Sequence, residues 1–104
     1  MTIKFQNSYL EKLFEGKAVS GKPKYSSEVI VKFKRSILKL QNADSIKDLQ
    51  SQKGLNWEAL KGKYKGFYSV RVDYSYRLIL TLEKDGKLKV SDIIEVHDLT
   101  NHYQ

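Results

Sequence analysis

The feature that most constrains the fold is the alternation of apolar and polar residues between Phe67 and Val96. A period of two places every second side chain on the same face of a β-strand, so this stretch predicts strands with one apolar face. Turn-like segments at 73–75 and 84–87 divide it into three strands. Asp85 and Gly86 tolerate positive φ angles and predict a hairpin. The stretch is therefore expected to form a three-stranded meander.

The first half of the chain predicts the elements that cover this meander. Thr2–Phe5 alternates like a short strand, and Ser8 with Glu11 matches the capping box of a first helix that ends at Gly16. A longer amphipathic helix is expected over about 27–41, capped by Ser26 or Ser27. Its basic residues, which we expect on the solvated side, are Lys32, Lys34, Arg35 and Lys39.

These elements predict an α+β fold with the order β-α-α-β-β-β. The first strand is expected to join the meander in a four-stranded, mainly antiparallel sheet whose helices pack on one face. Asp44 is expected to cap a further short turn that holds Ile46 and Leu49. Asp92 falls on the apolar side of the last strand, which predicts a bulge or a strand end near it.

Composition limits the domain organisation and the possible partners. A length of 104 residues predicts one domain, 1–104, with a single core. The chain has no cysteine, which excludes disulfides, thiolate nucleophiles and cysteine-rich zinc sites. No apolar run has the length of a membrane span, so a cytoplasmic protein without membrane contact is expected. The net charge of +7 predicts an anionic partner or simply a soluble surface.

Arg71, Arg77 and His97 lie at alternating positions of the predicted strands, so we expect them to share the face opposite the helices. A basic loop with lysines at 61, 63 and 65 precedes them. Leu55, Trp57 and Leu60 are expected to anchor this loop to the core, with base stacking as the alternative role of the tryptophan.

Cleavage of RNA without a metal suits this set of residues. RNA carries its own nucleophile, the 2′-hydroxyl, and an enzyme must supply a base, an acid and cations for the developing phosphorane charge. Guanidinium groups of Arg71 and Arg77 match phosphate oxygens, and His97 or Glu95 can transfer the proton. The lysines would position the RNA backbone. The two histidines, 97 and 102, have no metal-ligand spacing, so no metal or other cofactor is predicted.

For Arg77 and His97, structural roles are an equally good interpretation on spacing alone. A strand arginine often pairs with a nearby carboxylate, and Asp73 and Glu95 are available to Arg77.

A family resemblance rests on four motifs, which are Lys61-Gly62, Lys65 to Val72, Tyr76 to Leu80 and Asp92 to His97. They resemble the RelE/ParE superfamily of toxins from bacterial type II toxin–antitoxin systems, and are most similar to its HigB-like, plasmid maintenance killer branch. The resemblance covers about Leu55 to His97, with the same order of elements before it.

The resemblance implies a ribosome-dependent endoribonuclease, or mRNA interferase, that cuts mRNA without a metal and is neutralised by a cognate antitoxin. It implies catalytic roles for Arg71, Arg77, Glu95 and His97, with RNA contacts from Lys61, Lys63 and Lys65. The Asp-Tyr-His ending of HigB-type toxins aligns with Glu95-Val96-His97, so valine replaces the tyrosine. His102 and Tyr103 of the tail are candidates to take its place.

The expected partners are an acidic or helix-turn-helix antitoxin, the ribosome and mRNA. Two other functions stay open at this point. One is a ParE-like inhibitor of DNA gyrase, which needs no nuclease residues. The other is a basic module that binds RNA or antitoxin without catalysis.

Overall fold

The computed structural model describes residues 1–84 and 92–101. The strands are β1 Thr2–Phe5, β2 Glu58–Ala59, β3 Tyr68–Arg71, β4 Arg77–Lys84 and β5 Asp92–Thr100. The helices are α1 Ser8–Glu15, α2 Ser27–Asn42 and α3 Ile46–Ser51, with two 3₁₀ turns at Lys53–Leu55 and Gly62–Tyr64. No helix in this part of the chain combines the length and apolar character needed to cross a membrane.

The strands of the described residues form one mixed sheet in the order β1-β5-β4-β3-β2. The neighbours β2–β3, β3–β4 and β4–β5 are antiparallel, whereas β1 lies parallel to β5 at one edge. The first strand therefore lies beside the last described strand, at the edge of the sheet.

The core lies between one face of the sheet and the helices. Its largest fully buried side chains include Phe33 of α2, Leu10 of α1 and Leu49 of α3. The sheet contributes alternate residues, which are Val70, Leu78, Leu80, Ile94, Val96 and Leu99. The alternation predicted from sequence is therefore the one that fills the core, and the other sheet face is left for polar residues.

The predicted fold class is confirmed, but the sheet has five strands in place of the predicted four. The additional strand is the two-residue β2, whose Glu58 and Ala59 pair with Ser69 and Tyr68. A pair this short carries no alternation signal, so only the tertiary pairing defines it. The hairpin predicted at Asp85 lies outside the described residues.

Two helix caps differ from their predictions. Asn7, rather than Ser8, caps α1, because its side-chain oxygen accepts a hydrogen bond from the Leu10 amide at 3.2 Å. Ser45, rather than Asp44, caps α3 through the Asp48 amide at 3.1 Å. In both cases neighbouring residues are good caps, and the backbone path selects between them.

A β-bulge lies at His97. Ile79 pairs with Asp98 and Leu80 pairs with Val96, so the histidine between them has no partner on β4. The extra residue lets Val96 and Leu99, three positions apart, both point into the core. The sequence predicts a bulge or a strand end near Asp92. The structure describes β5 from Asp92 onward, and the bulge that the described residues contain lies at His97.

Tyr25, just before α2, fastens that helix to the end of β5. Its hydroxyl donates a hydrogen bond to the Leu99 carbonyl at 2.8 Å, and its ring lies edge-on to Tyr76 at 5.7 Å. Burial, with a smaller contribution from the nearby Asp98 carboxylate, raises the pKa of Tyr25 to about 12. The neutral phenol is thus the form that the folded protein stabilises.

Candidate functional site

The predicted site residues of β4 and β5 share the sheet face that the helices leave uncovered. Along β4, Arg77 and Thr81 alternate with the core residues Leu78 and Leu80. The Nε2 atom of His97 lies 2.6 Å from the Thr81 hydroxyl. Arg77 and His97 are therefore on the same side of the sheet, as their alternating positions predict.

A chain of hydrogen bonds joins His97 to Glu95. The Thr81 hydroxyl donates to Glu95 Oε1 at 3.0 Å and contacts His97 Nε2 at 2.6 Å. The second carboxylate oxygen of Glu95 accepts a hydrogen bond from the Gln6 side chain at 2.6 Å. The four side chains, from β4, β5 and the end of β1, fix one another's orientation.

This series of hydrogen bonds also determines which nitrogen of His97 carries a proton. An ionised carboxylate only accepts hydrogen bonds, so the single hydroxyl proton of Thr81 is directed to Glu95. Thr81 must then accept from His97, which places a proton on Nε2. In the neutral ring, Nδ1 is left as the atom that can accept a proton.

The lysine loop is fastened beside His97 by aromatic contacts. The ring centre of Phe67 lies 5.2 Å from that of the His97 imidazole, at an interplanar angle of 66°. On its other side, the Phe67 ring centre lies 6.1 Å from that of Tyr64. The backbone amide of Leu60 donates to the Phe67 carbonyl at 2.9 Å and closes the loop at its base. Gly66 adopts a φ of 93°, which side chains rarely allow.

The three lysines predicted to contact RNA are exposed on this loop. They are Lys61, Lys63 and Lys65, and the ammonium of Lys63 lies 5.5 Å from the Tyr64 ring centre. Trp57 is half-buried, with its ring 5.1 Å from Tyr68, and packs against the core. The anchoring role predicted for the tryptophan is therefore confirmed.

Arg77 forms a second cluster on the same face, and its side chain is only 5% exposed. Its Nε donates to the Ser69 hydroxyl at 2.9 Å, and its Nη2 donates to the Asn56 carbonyl at 2.6 Å. The Glu58 carboxylate lies 3.7 Å from Nη2. The sequence indicates Asp73 or Glu95 as the carboxylate partner. The structure shows Glu58 instead, because β2 brings that residue beside β3.

Arg71 is exposed at the end of β3, directly across from Arg77 in the strand register. Ile79, 3% exposed, lies between Arg77 and Thr81 on the shared face. Arg77 and Thr81 are four positions apart, which is about 13 Å along β4. The site thus consists of two adjacent clusters, one around His97 and one around the arginines.

The tail and position 96 both bear on the predicted replacement of the HigB tyrosine. His102 and Tyr103 lie outside the described residues. Val96 is fully buried on the core side, opposite to His97. A residue at position 96 therefore packs with the helices, and valine in place of tyrosine removes no group from the open face.

Sequence reasoning missed Thr81, Gln6 and Ser69. Thr81 and Ser69 occupy strand positions of the correct parity, which was the one signal available for them. Gln6 has no such signal, because its contact with Glu95 depends on the parallel pairing of β1 with β5. In residues 1–84 and 92–101, no group of three or more His, Asp and Glu side chains has a geometry that could hold a metal ion.

Comparison with known proteins agrees with this architecture. Residues 3–97 match the family model for the HigB-like toxin, described as a RelE-like toxin of the type II toxin–antitoxin system HigB. The chain belongs to this family. It is a type II toxin, and the resemblance read from its motifs is confirmed. No curated protein matches the sequence.

Solved structures of related toxins share the fold of this HigB-like chain. One is a YoeB/ParE toxin from Agrobacterium tumefaciens, 19% identical, with a TM-score of 0.55 and coverage of 99% of this chain and 100% of the other. Another is the YoeB–YefM complex from Staphylococcus aureus, 20% identical, with a TM-score of 0.51 and coverage of 99% and 98%. At identities this low, the two matches support a shared fold and nothing further.

Proposed function

We propose that this toxin is a metal-independent endoribonuclease that cleaves mRNA on the ribosome and so inhibits translation. The observation that carries the proposal is the hydrogen-bonded chain of His97, Thr81 and Glu95 on the open sheet face, beside exposed cations. A base held in one orientation by a carboxylate is what activation of a 2′-hydroxyl requires.

In the proposed reaction, His97 Nδ1 takes the proton of the 2′-hydroxyl. The 2′-oxygen then bonds to phosphorus while the bond from phosphorus to the 5′-oxygen breaks, which leaves a 2′,3′-cyclic phosphate. The departing 5′-oxygen takes a proton from water. Glu95, acting through Thr81, stabilises the positive imidazole ring that forms.

The cations of the site have different proposed tasks. Arg71 is exposed and can contact the scissile phosphate directly. Arg77 is buried, so its charge contributes positive potential from within the sheet while its hydrogen bonds hold the segment around Asn56. The exposed lysines at 61, 63 and 65 would hold the mRNA or ribosomal RNA backbone.

The proposed partners follow from the family and the charge. The net charge of +7 favours an acidic segment of a cognate antitoxin, lying across the same surface. The Staphylococcus aureus YoeB neighbour was itself solved with YefM. Action on translating ribosomes would place the toxin in the cytoplasm.

The test is induced expression of the wild type and of His97→Gln and Arg71→Gln, with Tyr74→Phe as a matched control because Tyr74 is fully exposed. We expect the wild type and the control to arrest growth and to leave truncated mRNA ends in primer extension. Both site variants should do neither. Intact cleavage by His97→Gln would remove this residue from the mechanism. Gyrase-dependent DNA damage without RNA cleavage would favour the ParE-like alternative.

A further inference from the structure

A groove of about 180 Å³ lies between α2 and the end of β3, away from His97. Four cationic side chains line it, which are Lys32, Arg35, Lys39 and Arg71. We infer that this groove is a second RNA-binding site that holds backbone phosphates. This inference rests on the proposed function for the identity of its ligand.

The charges of the groove are poorly balanced within the protein. Arg35, Lys39 and Arg71 form no ion pair with any residue in the described part of the chain, and Lys32 pairs only with the exposed Glu28 at 3.1 Å. Asp73 is the single carboxylate in the lining. Its Oδ1 accepts hydrogen bonds from the Ser75 and Tyr76 amides at 2.9 and 2.7 Å.

Unpaired like charges around one groove repel each other, and a bound anion relieves that repulsion. The cations at 32, 35 and 39 follow the i, i+3, i+7 spacing that keeps side chains on one helix face. They span about 10 Å along α2 at 1.5 Å per residue. A row of this length matches several backbone phosphates rather than a single small anion.

The composition of the groove favours RNA over an acidic peptide. Peptide interfaces depend on apolar or aromatic anchors in well-packed pockets. This groove offers only Val72 as an apolar side chain, whereas its arginines can bind phosphate with two parallel hydrogen bonds. Arg71 belongs both to the groove and to the proposed active site, so an RNA strand held in the groove continues toward the reacting phosphate.

The test compares two variants with the same change in charge. The groove variant is K32Q/R35Q/K39Q, and the control is K12Q/K22Q/K47Q, whose lysines are all exposed and outside the groove. Binding of a short, fluorescent, 2′-O-methylated RNA is measured by anisotropy over about 50–200 mM salt. The ligand cannot be cleaved, so the result does not depend on catalysis.

We expect the groove variant to bind at least 10-fold more weakly at low salt than the control. The slope of log affinity against log salt should fall by about 2, since each phosphate contact with single-stranded RNA contributes about 0.7. The charge-preserving variant K32R/R35K/K39R should bind like the wild type. Unchanged melting temperatures would show that all variants are folded.

Equal RNA binding by the groove and control variants would overturn the inference. So would loss of antitoxin binding by the groove variant without any loss of RNA binding, which would assign the groove to an acidic protein segment. Failure of the proposed function would appear differently, as absence of mRNA cleavage by the wild type in cells.

Discussion

At the scale of single residues, side chains with similar sequence signals have different roles because of their contacts. Arg71 and Arg77 occupy facing positions on paired strands, yet one is exposed and the other is buried against Ser69 and Asn56. Thr81 has no distinguishing signal, yet its hydroxyl connects Glu95 to His97. Two predictions test these assignments.

Thr81→Val removes the connecting hydroxyl and keeps the shape of the side chain. RNA cleavage should fall by about 100-fold, at the lower end of what acid–base help contributes, because His97 loses its orienting partner. The free energy of unfolding should change by only about 1 kcal/mol. Thr81→Ser should restore most of the activity, and the exposed Thr2→Val should have no effect. Full activity of Thr81→Val would show that the hydroxyl is not needed.

Arg77→Ala should lower the free energy of unfolding by about 2–4 kcal/mol, because it leaves the Asn56 carbonyl and the Ser69 hydroxyl without their donor. Arg71→Ala should change it by less than about 0.5 kcal/mol, as expected at an exposed position. Urea unfolding of both variants measures the difference. Equal stabilities would contradict the structural role given to Arg77.

At the scale of elements, short connections decide where the site residues lie. The bulge in β5 keeps His97 on the open face while Val96 and Leu99 both enter the core. Phe67 joins the lysine loop to the same histidine. Tyr25 ties the start of α2 to the end of β5, and its raised pKa makes this contact testable by pH.

Tyr25→Phe should make the free energy of unfolding fall less steeply as the pH rises through the alkaline range. The pKa of Tyr25 is about 12 in the folded protein against an ordinary value of 10, so the unfolded chain loses this proton first as the pH rises. The stabilisation is complete below about pH 10 and disappears as the pH passes through about 12. Urea unfolding across this range measures the change. Tyr74→Phe, at a fully exposed residue, should leave the curve unaltered.

At the scale of the whole molecule, the parallel pairing of β1 with β5 connects the start of the sequence to its last strand. Phe5 of β1 packs on Phe14 of α1 at 5.8 Å, at one edge of the sheet. Trp57, the single tryptophan of the chain, lies near the other edge beside Tyr68. A domain with one core should unfold both edges together.

Phe5→Ala should lower the free energy of unfolding by about 2–3 kcal/mol, less than a fully buried phenylalanine would cost. Because the sheet is continuous, Trp57 fluorescence and far-ultraviolet circular dichroism should report the same shifted urea midpoint. A fluorescence midpoint that stays at the wild-type value while circular dichroism shifts would show that the two edges unfold separately.

The sequence by itself determined the meander, the amphipathic helices and the shared face of Arg77 and His97. Each of these depends on a local period, of two in strands and 3.6 in helices, that is visible in the order of residues. The motifs from Lys61 to His97 also sufficed to identify the family.

Only the tertiary structure decided the pairing of β1 with β5, the short strand β2 and the bulge at His97. These features depend on which strands lie side by side, and their stability comes from packing rather than from local preference. The same holds for the contacts of Gln6 with Glu95 and of Glu58 with Arg77. Spacing along a sequence sets which face a side chain occupies, but the partner it meets there depends on how distant strands are placed side by side.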